Sequence, residues 1–256
     1  MKEIYKDIFT ETIEYMVSPP PCRSRDGGMV SPPPCRQGVK DRHRSPRNLY
    51  VVRQEGRSLM VDTSFRFEQD RQVIEGMLKE LGIDCSCLDI FITHDHPDHT
   101  GLVPDLAAKG ARIFMNPEET RKRSDLLHCY LADEKSRIDN FRTVGVTREH
   151  TPEVYQTMME YTNRVYQERR ELPDFDFTPV LPGEKLVYGP YQFESVSLKG
   201  HTFGQCGLRE CGHKLLFCGD QIMTSIVPIV GSQQKDLGLL KCYLDSLGEL
   251  KHRYAD

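Results

Sequence analysis

The residue types most capable of chemistry are concentrated in one short stretch, which contains His94, Asp95, His96, Asp98 and His99. Neutral imidazole nitrogens and carboxylate oxygens are the ligands that suit zinc and other first-row divalent metals. His94 and His96 alternate, so in an extended backbone both can point to one side. Asp98 and His99 come after the bend at Pro97 and can point to a second position. The spacing therefore predicts two adjacent metals that share one loop.

The segments on either side of this cluster predict where it lies in a fold. Residues 88–92, with the sequence LDIFI, are mostly apolar and β-prone and predict a buried strand. Gly101 and a helix-like run over residues 102–109 follow the cluster. In open α/β layers, ligands bind at the carboxyl ends of the strands. The order of strand, ligand loop and helix therefore predicts an α/β fold with its site at a strand end.

The pattern His-x-His-x-Asp-His over residues 94–99 resembles the metallo-β-lactamase superfamily. The resemblance implies an αββα sandwich of α/β layers. It also implies that His94 and His96 bind a first metal together with a later histidine. Asp98 and His99 would then bind a second metal.

Two later segments are similar to further motifs of the same superfamily. The stretch 199–205, KGHTFGQ, has the family's Gly-His-Thr centre, although Lys199, Phe203 and Gln205 depart from its usual residues. The resemblance implies that His201 completes the first metal site. Gly219-Asp220 follows the apolar residues 215–218, and the resemblance implies that Asp220 bridges both metals.

The resemblance also implies supporting roles for two residues beside the ligands. Asp62 follows a predicted hairpin over residues 48–61, as an Asp-Thr pair does in the family. A carboxylate at that position fixes the tautomer of a ligand histidine. Thr202, next to His201, is assigned a similar supporting place.

The family's last metal motif, Pro-Gly-His-Gly, has no match before the sequence stops at Asp256. We therefore expect a C-terminally truncated sandwich whose last strands and helix are missing. The second metal would be one protein ligand short, whereas the first would keep His94, His96, His201 and the bridging Asp220. We predict that the first metal is bound and that the second site is weak or empty.

We expect one domain over residues 1–256 that carries two insertions. Residues 17–46 include most of a duplicated segment, MVSPPPCR, at 16–23 and again at 29–36. Triple prolines favour polyproline II and have no amide donors for a sheet, so we predict a flexible proline-rich insertion. Residues 118–172 are predicted to form a helical insertion that covers the site, because family members carry substrate-selecting insertions between these motifs.

Composition sets the expected surroundings and partners. A net charge of −4 gives no electrostatic case for nucleic acid or a membrane, although nucleic acid stays open as a partner. Nine cysteines at irregular spacing, with nothing like a signal peptide and no bilayer-length apolar run, predict a cytoplasmic protein. A small-molecule substrate is expected, and homo-oligomerisation stays open.

The resemblance implies a metal-dependent hydrolase in which a zinc-bound hydroxide attacks an ester, thioester, lactone or phosphodiester. Asp98 would be its catalytic residue, because it would orient that nucleophile. Zinc is the expected cofactor, as one or two ions, with iron or manganese as alternatives. Two other interpretations stay open: an iron-dependent oxidoreductase similar to sulfur dioxygenases, and an inactive truncated fragment.

Overall fold

Two β-sheets form the centre of the fold. The computed structural model describes residues 1–17, 22–23, 29–30, 43–120, 138–139, 141–142, 145–160, 175–223, 228, 230 and 238–254. A seven-stranded sheet has the order β1-β2-β5-β6-β7-β8-β9, and a four-stranded sheet has the order β10-β11-β12-β13. The strands are β1 (Lys2–Tyr5), β2 (Ile8–Val17), β3 (Cys22–Arg23), β4 (Met29–Val30), β5 (His43–Val52), β6 (Ser58–Val61), β7 (Leu88–Ile92), β8 (Arg112–Met115), β9 (Thr178–Pro179), β10 (Lys185–Tyr188), β11 (Tyr191–Ser197), β12 (Cys206–Glu210) and β13 (Leu215–Phe217).

Helices follow strands of the larger sheet, and a further helix forms the end of the described part of the chain. They are α1 (Glu68–Leu81), α2 (Pro97–Thr100), α3 (Val103–Ala107), α4 (Pro117–Thr120) and α5 (Leu239–Tyr254), and residues 152–160 are also helical. Gly82 ends α1 with φ 69°, a left-handed conformation that glycine adopts without steric cost. No helix within the described part of the chain combines the length and apolarity needed to cross a membrane.

Two clusters of buried side chains hold the layers together. In the first, Met60 and Ile90 from the larger sheet pack with Ile74 of α1 and Leu106 of α3. In the second, Val61 and Phe91 pack with Phe193 and Leu208 of the smaller sheet. Successive residues of β6 and β7 therefore face opposite cores, as the period-two geometry of a strand requires. The α/β layers of the metallo-β-lactamase sandwich predicted from the sequence are confirmed.

The N-terminal segment adds two strands to the edge of the larger sheet. It forms two antiparallel strands, β1 and β2, because the chain turns at Asp7, which has φ 56°. β5 also begins earlier than predicted, at His43, and pairs with β2 along its whole length. Most of the two predicted insertions, residues 17–46 and 118–172, lies outside the described residues.

A buried carboxylate connects the two sheets away from the histidine cluster. Asp89 of β7 is 2% exposed. It accepts hydrogen bonds from Arg57 Nε at 2.8 Å, Arg112 Nη2 at 2.6 Å and Tyr188 Oη at 2.9 Å. Burial works against the charged form of Asp89, but these donors outweigh it and lower the pKa of its carboxyl.

We expect Asp89→Asn to reduce the free energy of unfolding by about 2 kcal/mol at pH 7, because it leaves two guanidinium groups without their partner. Because the pKa of Asp89 is lowered in the folded state, its stabilisation is complete above the unfolded value of 3.8. It is lost as the pH falls through the folded value. Urea unfolding should therefore show a gap between wild type and variant at pH 7 that narrows at about pH 3.

The control is Asp245→Asn, which removes an exposed i,i+4 pair with Lys241 on α5. Such pairs contribute at most a few tenths of a kcal/mol, so this variant should unfold almost like wild type at both pH values. A gap for Asp89→Asn that stays constant with pH would contradict the assigned role of its charge.

Candidate metal centre

Five chain segments meet at one end of the sheets and carry the polar cluster. β6, β7 and β8 are parallel neighbours, so their carboxyl ends lie side by side. The segments after them begin at Asp62, Thr93 and Asn116. The loop between β11 and β12 and the segment after β13 supply His201 and Asp220 from the smaller sheet. The site is therefore assembled from both sheets.

The first group of candidate ligands consists of three histidines. His96 Nδ1 lies 3.0 Å from His94 Nε2 and 2.9 Å from His201 Nε2. His94 is fully buried and His201 is 8% exposed. Asp220 Oδ2 lies 3.5 Å from His201 Nε2, which places a carboxylate beside the three nitrogens.

A second group of candidate ligands contains His94, which also belongs to the first group, and Asp220, which lies beside the first group. His94, His99 and Asp220 also bring ligand atoms within 4.8 Å of one another. His99 Nε2 lies 3.3 Å from Asp220 Oδ1, while the other oxygen of Asp220 faces His201. Asp220 therefore faces a histidine of each group, and its bridging of two metals stays a prediction.

The hydrogen bonds of Asp62 and Thr93 determine which histidine nitrogens face the centre. Thr93 donates to Asp62 Oδ2 through Oγ1 at 2.8 Å and to Asp62 Oδ1 through its amide at 2.7 Å. Thr93 Oγ1 therefore accepts from His94 Nδ1, 3.0 Å away, and Asp62 Oδ2 accepts from His99 Nδ1, 2.9 Å away. The Nε2 atoms of both rings then face the centre. Asp62 holds this position with φ 58°, an uncommon conformation for a residue other than glycine.

These contacts fit a divalent cation. A hydrogen bond between two imidazoles needs one proton, yet His96 Nδ1 faces a ring nitrogen of His94 and another of His201. Neutral imidazole nitrogens with a neighbouring carboxylate are the ligands that zinc and similar ions take. The residues present therefore suit a metal ion better than a network of internal hydrogen bonds.

Opposite charges around the second group of ligands shift the pKa values of its members and of Asp98. Burial opposes the imidazolium form of His99, but Asp62, Asp220 and Asp98 outweigh it and raise its pKa well above the usual value. Burial also opposes the charged form of Asp98. The neighbouring His99 and Arg47 nevertheless lower the pKa of Asp98 to about 2. An ion that binds His99 must displace a proton, so its binding becomes weaker at lower pH.

The structure brings five predicted ligands together and places the sixth beside them. His94, His96, His99, His201 and Asp220 converge. Asp98 Oδ2 lies 3.8 Å from His99 Nε2 and accepts a hydrogen bond from Arg47 Nε at 2.9 Å instead. Arg47 is 51 residues away from Asp98 in the chain and was not predicted from the sequence.

Glu119 of α4 is a second residue of the site that was not predicted from the sequence. Its side chain accepts hydrogen bonds from the amide of Asp95 at 2.8 Å, the amide of Gly204 at 2.7 Å and Thr202 Oγ1 at 2.7 Å. Burial raises the pKa of Glu119, although these three donors act in the opposite direction. Glu119 therefore connects the loop that carries His94 to the loop that carries His201, and Thr202 has a supporting role through it.

We expect Gly200→Ala to displace His201 and to destabilise the protein by about 3 kcal/mol, the combined cost of backbone strain and overpacking. Gly200 has φ 139°, and an added Cβ would lie 2.4 Å from Cα of Tyr243 in α5. The backbone of a packed helix cannot move aside as a flexible side chain can. The midpoint temperature of thermal unfolding and the zinc affinity should both fall.

Gly183→Ala is the matched control. Gly183 also has a positive φ, 93°, but a Cβ there would meet no atom within 4 Å. It should cost only the backbone strain of about 1 kcal/mol and leave zinc affinity unchanged. Equal effects of the two substitutions on zinc affinity would contradict the role of the Gly200 contact.

The chain belongs to the metallo-β-lactamase superfamily, whose family model matches residues 44–253. Members of this superfamily are generally metal-dependent hydrolases. The match covers every residue of the candidate centre, from Arg47 to Asp220, and extends into α5. A search among curated proteins gave no match.

Solved structures of this superfamily share the fold at low sequence identity. A metallo-β-lactamase family protein from Thermus thermophilus is 21% identical with a TM-score of 0.67, and the match covers 97% of this chain and 70% of that one. A β-lactamase domain protein from Burkholderia ambifaria is 19% identical with a TM-score of 0.64, over 98% of this chain and 65% of that one. FIM-1 from Pseudomonas aeruginosa, solved in its mono-zinc form, is 17% identical with a TM-score of 0.53, over 99% of this chain and 81% of that one.

Proposed function

We propose that this protein is a zinc-dependent hydrolase that acts on an ester, thioester, lactone or phosphodiester bond of a small molecule. The observation that carries the proposal is the convergence of three imidazole nitrogens, from His94, His96 and His201, beside the carboxylate of Asp220. Three protein ligands and an open position are typical of catalytic zinc sites. FIM-1, a protein of the same fold, is described in a mono-zinc form, which agrees with this choice of metal.

His94, His96 and His201 would hold the ion, with Asp220 as a further ligand. When bound, a divalent ion supplies Lewis-acid chemistry, because it acidifies water and polarises a carbonyl or phosphoryl oxygen. The chain's own contribution is to fix the tautomer of His94, so that its Nε2 faces the other candidate ligands. Asp62 does so through Thr93, whose hydroxyl accepts the Nδ1 proton of His94.

Asp98 is the candidate for orienting an attacking water molecule. Arg47 binds its Oδ2, and Oδ1 is not part of that ion pair. A carboxylate whose pKa is lowered to about 2 is a weak base at neutral pH. Asp98 is therefore assigned to accept a hydrogen bond from water and fix its direction, rather than to remove a proton fully.

Charge and surface features guide the proposed partners. The net charge of −4 supplies no general attraction for nucleic acid, so a small molecule is preferred as substrate. Among the described residues, β13 is an edge strand of the smaller sheet, and exposed edges favour association. We include a homo-oligomer in the proposal, which light scattering at several protein concentrations would test.

The test is a hydrolysis screen with the metal state controlled. Zinc-loaded and chelator-stripped protein would be compared on aryl esters, thioesters, lactones and bis-aryl phosphodiesters, together with a His96→Ala variant. We expect turnover of at least one class that needs zinc and is lost in the variant. Zinc-independent turnover, or none in folded zinc-loaded protein, would contradict the proposal. Bound iron with oxygen uptake on a persulfide would favour a dioxygenase instead.

A further inference from the structure

Arg47 is a cation held against the candidate metal centre. It lies in β5, where its backbone pairs with Ile13 of β2. Its Nε donates to Asp98 Oδ2 at 2.9 Å, and its guanidinium carbon lies 4.3 Å from the ring centroid of Phe65. The side chains of Arg47 and Asp98 are each 22% exposed. Arg47 is thus fixed by a strand, an aromatic ring and a carboxylate.

This ion pair involves the oxygen of Asp98 that is near the second group of ligands. Asp98 Oδ2 lies 3.8 Å from His99 Nε2, and Arg47 binds that same oxygen. A divalent ion between His99 and Asp220 would need negative charge from Asp98. It would instead meet a carboxylate that a guanidinium already neutralises, and the guanidinium would repel it in a partly buried setting where charges are weakly screened.

The first group of ligands has a different carboxylate beside it. Its three nitrogens belong to His94, His96 and His201, which contact one another at 2.9 to 3.0 Å. Its neighbouring carboxylate is Asp220 rather than Asp98. The cation of Arg47 is therefore placed to act on one group of ligands more strongly than on the other.

We propose that Arg47 is a positioning residue that sets the metal stoichiometry of the centre. It holds Asp98 as an ion pair and so weakens binding of a divalent ion at His99 and Asp220, while the ion at His94, His96 and His201 stays tightly bound. The inference rests on the proposed metal centre and adds a residue that controls it. Asp98 then serves to orient water and is only a weak ligand for a second ion.

Removal of the guanidinium should strengthen the second binding step. Arg47→Met keeps an unbranched apolar stem against Phe65 but removes the charge, so Asp98 becomes available to an ion. We expect the dissociation constant of the second zinc to fall by roughly tenfold or more, because a weakly screened like charge near the site is removed. The first dissociation constant should change by no more than about threefold, since its ligands are untouched.

The chain offers a matched control in Arg53, which follows β5. Arg53 Nη2 lies 3.0 Å from Asp7 Oδ1, and its guanidinium carbon lies 5.4 Å from the ring centroid of Phe9. Arg53→Met therefore removes the same type of ion pair and aromatic contact from the same hairpin. It should leave both zinc dissociation constants unchanged.

The experiment is a titration of the metal-free protein with Zn²⁺ in a chelator-buffered series, with circular dichroism to establish folding. Arg47→Gln provides a second charge-removing variant in case Arg47→Met does not fold. Asp98→Asn combined with Arg47→Met tests the route of the effect. In the Asp98→Asn background, the substitution of Arg47 should no longer tighten the second step.

The outcomes separate this inference from the proposed function. The inference is supported if wild type binds one zinc tightly and one weakly, and if the weak binding is strengthened in the Arg47 variants but not in Arg53→Met. A tight first zinc with an unchanged second step in both Arg47 variants overturns the role of Arg47 but keeps the metal centre. Two equally tight ions in wild type also overturn it. No zinc bound by folded wild type overturns both.

Discussion

Replacing His94 by alanine is expected to remove bound metal and to abolish metal-dependent turnover. His94 is fully buried and belongs to both groups of candidate ligands. Loss of a residue that only supports a ligand already costs roughly 10- to 100-fold in metal affinity or activity, so loss of His94 should cost at least about 100-fold. Zinc affinity by chelator competition and turnover in the hydrolysis screen would measure this change.

The matched control for this experiment is His252→Ala. His252 lies on α5 and is exposed to solvent. Its substitution should leave zinc affinity and turnover at the wild-type level. The expected loss of zinc affinity in His94→Ala is roughly 100-fold. A loss of no more than about threefold would mean that the assignment of His94 as a ligand is wrong.

Replacing Glu119 by alanine is expected to have the largest effect on stability. The substitution leaves the amides of Asp95 and Gly204 and the hydroxyl of Thr202 without their acceptor in a buried place. Hydrogen bonds to charged groups contribute about 1.5–3 kcal/mol each, but the losses are not additive, so we expect about 3–5 kcal/mol in total. Zinc affinity should fall as well, because the two ligand loops are no longer held together.

Glu118→Ala is the control at the neighbouring position. Glu118 makes an ion pair with Lys199 at 2.7 Å, and both side chains are about one third exposed. Partly exposed pairs contribute at most about 1 kcal/mol, so this variant should remain close to wild type in urea unfolding. Equal destabilisation by the two substitutions would contradict the special role of Glu119.

The sequence signals for the predicted ligands are local, and the structure places these residues close together. The buried strand before His94 and the Gly-Asp pair after β13 are short patterns, and the structure has β7 and β13 where they were expected. The departures from the family motif at Lys199 and Phe203 also have a local explanation. Lys199 Nζ lies 4.7 Å from the Phe203 ring centroid, so the two substituted residues contact each other while His201 keeps its place among the ligands.

Glu119 and Arg47 could not be predicted from the same sequence because their roles depend on contacts distant in the chain. Glu119 bonds Gly204, 85 residues away, and Arg47 bonds Asp98, 51 residues away. A glutamate after a proline and an arginine in a polar stretch resemble ordinary surface residues. Charge and periodicity describe one element at a time, whereas these two side chains act between elements.

The measurement that tests the central claim most directly is the zinc content of purified, untagged protein by elemental analysis, together with a folding check. We expect close to one zinc ion per chain after dialysis at neutral pH, and none in His94→Ala. Folded wild-type protein that holds no metal after exposure to zinc would contradict the assignment of His94, His96, His201 and Asp220 as a metal centre.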